Sequence, residues 1–575
     1  MFQIKQKLSQ DLSKLLGFKI NSELFSVPPN GEMGDMALPC FELAKELKKN
    51  PVEVATDIKE KVSTTIDYIK DVQTQGPYLN FIFDNKFLFE SLLSNKSKVK
   101  CKMSNVPKVM IEYSQPNTHK EFHVGHLRTA CLGASLVNLN RYVGNEVIAA
   151  NYIGDAGVHV AKTLWNYQKF HKDDKLPENK GAYLGKIYSE AVNKIEENEE
   201  YKTEVSDLQK KLEAGDSELV KLWKTTKQWS MESFESIYRL LNIKFDEWFF
   251  ESEEEAVGRK LIEKILEKGE PKEIKESEGA IIADLREYGL DVLVLIKSDG
   301  NVLYGTKDLP LGMKKFDKFK IDKSVYVVDN RQSLYMKQIY KLLDLLGYDE
   351  KEKHHVAYDF VTLPEGAMAS RTGNVVTFEN FFDEIVTLSK EETSKRHSDW
   401  ENDQISETAK KIALSAIKFW MLKYDNNKVI VFDSKKALAF DGDTGPYLLY
   451  TIARINSIFA KEKMQKSKNA RLATQSKRAK MQNYELLKEQ TERNLALQIG
   501  EFDEVVDKVV KEYAPISLCT YLIELAQKFN NFYHKCPVLD ADEDLKKARL
   551  MLLKKTKETL EKGLELLNIE SIEKM

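Results

Sequence analysis

The feature that most constrains this chain is a change of texture at Lys108. Val109-Met110-Ile111 is a short apolar run of the kind that forms a buried strand. A turn containing Pro116 and Asn117 follows, then a helical pattern with Leu132, Leu136 and Leu139 on one face. A second buried-strand signal comes at Val147-Ile148-Ala149-Ala150. Strand, helix and strand in close succession make a βαβ unit, which commits the chain to a parallel sheet. Similar runs at Val292-Leu293-Val294-Leu295-Ile296 and Val325-Tyr326-Val327-Val328 are expected to add strands to it. The charged stretch ahead of these runs, residues 170–290, reads as a mostly helical insertion.

The rest of the chain is organised around that sheet. Residues 1–100 combine a helical pattern (Phe41-Glu42-Leu43-Ala44-Lys45-Glu46-Leu47) with a strand-like run, Tyr78-Leu79-Asn80-Phe81-Ile82-Phe83, and read as a small α+β module. A polar, Lys-rich linker over 94–107 follows. Beyond residue 400 the pattern is helical, with Ile412, Ala413, Ile417, Trp420, Met421 and Tyr424 recurring at helical spacing. A length of 575 residues is too much for one core. The expected architecture is therefore multidomain α/β. An N-terminal α+β module spans 1–100, a Rossmann-like parallel-sheet domain 105–385 with its helical insertion, and an all-α helix bundle 386–575.

Composition narrows the class. Hydrophobic residues at 42% and charged residues at 31% are those of an ordinary globular protein. No apolar run is long enough to span a bilayer, and the amphipathic amino terminus lacks the continuous apolar core of a signal peptide. Five scattered cysteines without a CxxC pair argue against a disulfide framework or a cysteine zinc site, and suit a reducing cytoplasm. A net charge of −3 is no argument for nucleic acid, but residues 461–480 carry Lys461, Lys463, Lys466, Lys468, Arg471, Lys477, Arg478 and Lys480 against Glu462 alone. That stretch is either a solvated loop or a local phosphate-binding patch.

The chemistry concentrates at Glu112-Tyr113-Ser114-Gln115-Pro116-Asn117-Thr118-His119-Lys120-Glu121-Phe122-His123-Val124-Gly125-His126. This segment leaves a strand and opens a helix, and a helix start offers unpaired N–H groups and the positive end of a dipole to an anion such as triphosphate. His123 and His126 can donate to phosphate oxygens, and Gly125 lets a nucleotide approach the backbone. The bland alternative is a pair of core or capping histidines.

The segment resembles the HIGH signature of the class I aminoacyl-tRNA synthetases, with Asn117 and Lys120 spaced as in the arginine-specific branch. The resemblance continues from Lys108 over nearly the whole remaining chain. It runs through Asn151-Tyr152-Ile153-Gly154-Asp155-Ala156-Gly157, Ser298-Asp299-Gly300, Tyr304-Gly305-Thr306-Lys307-Asp308-Leu309 and Gln332. Pro364-Glu365-Gly366-Ala367-Met368-Ala369-Ser370-Arg371-Thr372-Gly373-Asn374 matches the second signature loop. What it implies is a ligase that activates L-arginine with ATP to the arginyl-adenylate. The arginine then passes to the 2′-hydroxyl of the terminal adenosine of tRNA(Arg).

By that resemblance, Ser114, His123, Gly125, His126, Met368 and Ser370 bind ATP, and Mg²⁺ arrives with the nucleotide without a dedicated protein site. Glu112 and Asp308 take the guanidinium, a planar cation best received by carboxylates in a fork. Tyr304 and Gln332 complete that pocket, and Asn117 holds the backbone end of the amino acid. His123, His126, Lys120 and Arg371 supply the charge stabilisation. Two departures stand out. Ala367-Met368-Ala369-Ser370-Arg371 lacks both lysines of the usual second signature, and Lys120 stands where arginine enzymes carry a compensating lysine. Tyr335 stands where relatives commonly have His.

In the helical region, Gly442-Asp443-Thr444-Gly445-Pro446-Tyr447-Leu448-Leu449-Tyr450, Phe529-Asn530-Asn531-Phe532-Tyr533 and Met575 resemble the anticodon-binding domain. Tyr447, Tyr450, Arg454, Tyr533 and Met575 are the expected anticodon contacts, since splayed bases are read by stacking. The amino-terminal module, with Gly34-Asp35-Met36-Ala37 and Gly76-Pro77-Tyr78-Leu79-Asn80-Phe81, resembles the additional domain that touches the tRNA elbow. A monomer in the cytoplasm with no membrane contact completes the expectation. The competing readings are a cysteine-specific relative, a catalytically dead tRNA-binding paralogue, and a small-molecule nucleotidyltransferase.

Overall fold

Strands β1 (Lys108–Glu112) and β2 (Glu146–Ile153) run parallel, joined by helix α1 (Val124–Tyr142), as the βαβ pattern requires. They seed a five-stranded sheet in this computed structural model, which describes residues 1–28, 31–62, 65–93, 106–364, 366–367, 377–470 and 484–575. The other strands are β3 (Glu247–Phe250), β4 (Lys323–Asp329) and β5 (Glu352–Tyr358). Their spatial order is β5-β4-β1-β2-β3, all parallel. The chain winds to one side of β1 and then crosses to the other. The crevice outside the carboxyl ends of β1 and β4 is therefore the switch point at which doubly wound sheets bind ligands.

Helix α1 is buried on nearly every side. Beyond the leucine stripe, Ala130, Gly133, Ala134 and Ser135 are also enclosed, because the sheet packs on one side and helices of the carboxyl-terminal bundle on the other. A Cβ on Gly133 would lie 2.0 Å from the Tyr113 ring, so that strand–helix contact admits only glycine.

The stretch 170–290 departs from the expectation of one helical insertion. Its helices Lys180–Glu197, Glu199–Glu213 and α2 (Ser217–Leu240) end where β3 returns the chain to the main sheet. Val292–Ile296 was expected in the parallel sheet. Instead it joins Ile274–Ser277 and Ala280–Asp284 in a separate antiparallel sheet. Two local causes are visible. Glu278 and Gly279 both take positive φ (52° and 78°), the mirror-image two-residue turn that closes a hairpin. Val292 and Val294 also stay exposed while Leu295 and Ile296 are buried. A central parallel strand, covered on both faces, would bury all four.

The amino-terminal module places Tyr78–Phe83 between Met36–Pro39 and Ile69–Gln75 in an antiparallel sheet. It is fastened to the carboxyl-terminal bundle by Arg493, which donates to both carboxylate oxygens of Asp35, to Asn85 Oδ1 and to the Phe83 carbonyl. From Phe378 on, the described residues are mainly helical. A short strand, Ile430–Val431, pairs with Val361–Leu363 and so ties that region to the hairpin leading into the second signature. Among the described residues no helix is long and apolar enough to cross a membrane, and Cys40, Cys131, Cys519 and Cys536 are free thiols.

Candidate active site

The turn after β1 is shaped by backbone that ordinary residues avoid. Ser114 (φ 80°), Gln115 (φ 44°) and His119 (φ 63°) are left-handed, a conformation that costs energy unless the surroundings hold it. Here the holding groups are explicit. Gln115 N–H donates to Asn151 Oδ1 at 3.0 Å, and Ser114 Oγ hydrogen-bonds the Tyr238 hydroxyl at 2.7 Å. His119 N–H donates to Ser230 Oγ at 2.9 Å, while its ring lies within 2.9 Å of Thr118 Oγ1 and 2.8 Å of Thr226 Oγ1. Tyr238, Ser230 and Thr226 all belong to α2, so one insertion helix clamps the turn. Burial holds the His119 imidazole down to about 3, which makes it a neutral structural group. Asn117 packs against Gly154 so closely that a Cβ there would lie 2.0 Å from Asn117 Oδ1.

His123 caps α1 and His126 closes the cap from inside. Gly125 N–H donates to His123 Nδ1 at 3.1 Å, and His123 N–H donates to His126 Nδ1 at 3.2 Å. The rings stack with centroids 3.8 Å apart. Both Nδ1 atoms are acceptors, so the proton of each neutral ring sits on Nε2. Burial and the nearby Lys120 charge push His123 down to about 4. Burial and His123 push His126 well below its usual value. The capping and functional readings are therefore compatible: Nδ1 builds the helix start, and Nε2–H remains a neutral donor.

His123, Gly125, His126 and Ser114 line a cleft of about 870 Å³ at the switch point, together with Glu112, Asn117, Tyr304, Asp308 and Gln332. Residues expected to bind ATP and residues expected to bind arginine thus share one cavity. The helix Tyr304–Phe319, here α3, presents Tyr304 and Asp308 one turn apart, and α4 (Ser333–Leu343) opens directly after Gln332. Asp308 accepts a short hydrogen bond from the Tyr335 hydroxyl, so Tyr335 belongs to the pocket. Burial pushes the Asp308 carboxyl up to about 6, against the hydrogen bond from Tyr335 and with help from Glu112.

Glu112 is already engaged. Lys315 Nζ donates to its Oε2 at 2.6 Å, and Gln115 Nε2 donates to Oε1 at 3.2 Å. A further acid, Glu251, also faces the cleft. Burial pushes its carboxyl up to about 7 against Lys307, and Asp308 adds to the rise. Sequence reasoning passed over Glu251, Lys315 and the role of Tyr335. Glu251 and Lys315 carry no signal beyond a helical charge in a charged helix.

Lys120 is not in the cleft lining. Its ammonium lies 5.0 Å from the centroid of the Tyr188 ring, in the insertion, and burial and Lys162 lower its pKa. Met368, Ser370 and Arg371 lie outside the described residues, as do residues 471–480 of the basic stretch; residues 461–470 continue the helix Gly445–Ala470 and are not a loop.

At the other end of the molecule, the expected anticodon residues form a cluster between helices Gly445–Ala470 and Ile516–Lys535. Arg454 donates to Asn530 Oδ1 at 2.8 Å and to the Tyr450 hydroxyl at 2.9 Å, and Asn530 Nδ2 donates to the Tyr447 hydroxyl at 2.8 Å. The Tyr533 ring lies 5.8 Å from the guanidinium and is exposed. Asn530, which joins Arg454 to Tyr447, is the organiser that sequence reasoning had not singled out. Met575 packs partly buried, its tail held by Asn456 donating to the Glu573 carbonyl at 3.0 Å.

A histidine-capped helix start at the switch point of a doubly wound sheet, with a helical carboxyl-terminal domain, is the architecture of a class I aminoacyl-tRNA synthetase. Three family descriptions match in chain order. They are the arginyl tRNA synthetase N terminal domain (residues 3–83), the catalytic domain of tRNA synthetases class I (R) (88–433) and the DALR anticodon binding domain (448–575). The chain belongs to the arginyl-tRNA synthetase family.

An arginine–tRNA ligase of Bdellovibrio bacteriovorus is 37% identical over 564 residues, covering 95% of this chain and 93% of its own. One of Clostridium perfringens is 35% identical over 580 residues, covering 100% and 98%. The solved arginyl-tRNA synthetase of Thermus thermophilus superposes with a TM-score of 0.81 at 27% identity, over 99% of this chain and 100% of that one. That of Plasmodium falciparum gives 0.78 at 22% identity over 100% and 99%, a likeness of fold.

Proposed function

We propose that this chain is an arginine–tRNA ligase that joins L-arginine to ATP and then to tRNA(Arg). The observation that carries the reading is the single cleft in which the neutral His123–His126 pair faces the same space as Asp308, Tyr304, Gln332 and Asn117. In the first step the arginine carboxylate attacks the α-phosphate in line and the bond to pyrophosphate breaks. In the second, the 2′-hydroxyl of the terminal adenosine attacks the acyl carbon and AMP leaves. No residue of the chain forms a covalent intermediate. Catalysis is positioning plus charge stabilisation.

In this reading the Nε2–H groups of His123 and His126 donate to phosphate oxygens, beside the positive end of α1 and the Ser114 turn. Asp308 receives the guanidinium, supported by Glu251 on the same wall. Glu112 and Gln332 were expected at the guanidinium beside Asp308; because Glu112 is already paired with Lys315, this reading instead sets both at the amino-acid end with Asn117. A ligand lacking the cation would leave Asp308 desolvated and unmatched, which is how such a site rejects neutral isosteres. Lys120 supplies long-range positive charge to the histidine pair, and Arg371 and the second signature act from the other side of the nucleotide. Among the described residues no grouping of three His, Cys, Asp or Glu could hold a metal. In this reading Mg²⁺ accompanies the nucleotide, and neither step is routed through it.

Tyr447, Tyr450, Arg454, Tyr533 and Met575 read the anticodon, and the module over residues 1–100 touches the tRNA elbow. The catalytic domain spans 105–385 and the anticodon domain 386–575, acting as a monomer in the cytoplasm, which the free thiols suit. The test is ATP–pyrophosphate exchange with each amino acid, with and without tRNA. Exchange with arginine alone, dependent on tRNA(Arg), supports the reading. Exchange with none sinks it.

A further inference from the structure

Lys315 lies on α3 two turns after Asp308, so both side chains project from one face of the helix into the cleft wall. Its side chain is fully buried. The ammonium donates to Glu112 Oε2 at 2.6 Å, stands 4.1 Å from the centroid of the Tyr326 ring and 5.8 Å from that of Phe249. Enclosed in this way, it takes no part in the phosphate chemistry. Its effect is on the charge balance of the cleft. Asp329 is paired with Arg331 at 2.8 Å, and Glu251 shares Lys307, at 3.6 Å, with Glu255 at 3.1 Å. Asp308 receives only a neutral hydroxyl, from Tyr335, and has no cation at ion-pair distance among the described residues.

We propose that Lys315 sets the ligand charge this cleft accepts: by cancelling Glu112 it leaves Asp308 as the uncompensated carboxylate, so the cleft takes an amino acid of net charge +1 and disfavours its doubly charged amide. The inference rests on the arginine reading above. L-arginine and L-argininamide share the α-ammonium and the guanidinium and differ in one carboxylate charge, so the ratio of their dissociation constants isolates the field at that position. A unit charge about 7 Å away, at an effective dielectric of about 20, changes such a ratio roughly fiftyfold.

The experiment is calorimetric titration of the full chain with each ligand. Wild type is expected to prefer arginine. Lys315→Met is expected to move the ratio toward the amide by about tenfold or more, and Lys315→Arg to retain the wild-type ratio. Glu112→Gln should move the ratio the opposite way. It provides the test even if Lys315→Met fails to fold, because the Gln amide oxygen can still accept from the Lys315 ammonium. The double variant Glu112→Gln/Lys315→Met should return toward wild type. A ratio that stays within about twofold in both single variants overturns the proposal while leaving the arginine reading intact. A wild-type chain that binds neither ligand overturns that reading, and the proposal with it.

Discussion

Tyr238→Phe removes one oxygen from the interior and tests how the insertion helix holds the active-site turn. The ring stays, packed against Phe245 at 4.9 Å and Trp248 at 5.9 Å, so no cavity forms. What is lost is the hydroxyl that hydrogen-bonds Ser114 Oγ at 2.7 Å and accepts from Asn151 Nδ2 at 3.0 Å. Both partners are buried, Ser114 at 2% exposure and Asn151 at 0%. A buried polar group left without its partner costs about 1–3 kcal/mol, so two of them put the expected loss near 3 kcal/mol, roughly a hundredfold in the equilibrium constant. Some of that loss is expected to appear locally, because Ser114 would lose a restraint on its left-handed backbone.

The assay is urea unfolding followed by tryptophan fluorescence, with Trp248 beside the mutated ring as a reporter. The arginine KM in pyrophosphate exchange is read in parallel and should rise. Tyr340→Phe is the control. Among the described residues its buried hydroxyl has no hydrogen-bond partner, so its removal is expected to be neutral or stabilising. If the two substitutions shift stability equally, or Tyr238→Phe costs under about 0.5 kcal/mol, α2 does not hold the turn in the way described.

Other expectations are simpler to state. Asp308, pushed up to about 6, is protonated in the free site below that pH and ionised above it. Arginine affinity should therefore fall as pH drops through about 6, and Asp308→Asn should flatten that dependence as well as weaken binding; calorimetry from pH 5 to 8 reads both. Arg493→Met leaves Asp35, 1% exposed, without its cation. The loss of about 3–5 kcal/mol should show as faster proteolytic release of the amino-terminal module, and an unchanged digestion pattern would count against the anchor. Gly154→Ala forces a Cβ to 2.0 Å from Asn117 Oδ1. Arginine KM should rise with little change in the ATP KM, and equal changes in both would show that Asn117 is not an amino-acid contact.

Much of the frame was legible because it is local. The apolar runs at Val109-Met110-Ile111 and Val147-Ile148-Ala149-Ala150 and the helix opening at His123 each depend on residues a few positions apart. Periodicity and helix-start chemistry report such features directly. Strand β3 escaped because four residues, Glu247-Trp248-Phe249-Phe250, are too short a run to show a period. Val292–Ile296 was assigned to the wrong sheet because an apolar run announces a strand but not its partner. Its partner is Ala280–Asp284, which the Glu278-Gly279 turn folds back on Ile274–Ser277.

The residue types gathered at the cleft could be read from their motifs, but their charge states and partners could not. Lys315 meets Glu112 across 203 positions and Tyr335 meets Asp308 across 27. Nothing near either residue in the chain distinguishes the pairing from a solvated charge. Likewise, a His-x-Gly-His string does not say which ring nitrogen carries the proton, whereas two backbone N–H groups aimed at Nδ1 do. Local periodicity sets which elements form, because the backbone satisfies itself within a few residues. Burial and long-range pairing set what each ionisable group is, because a charge taken from water is defined by the neighbours that the fold brings to it.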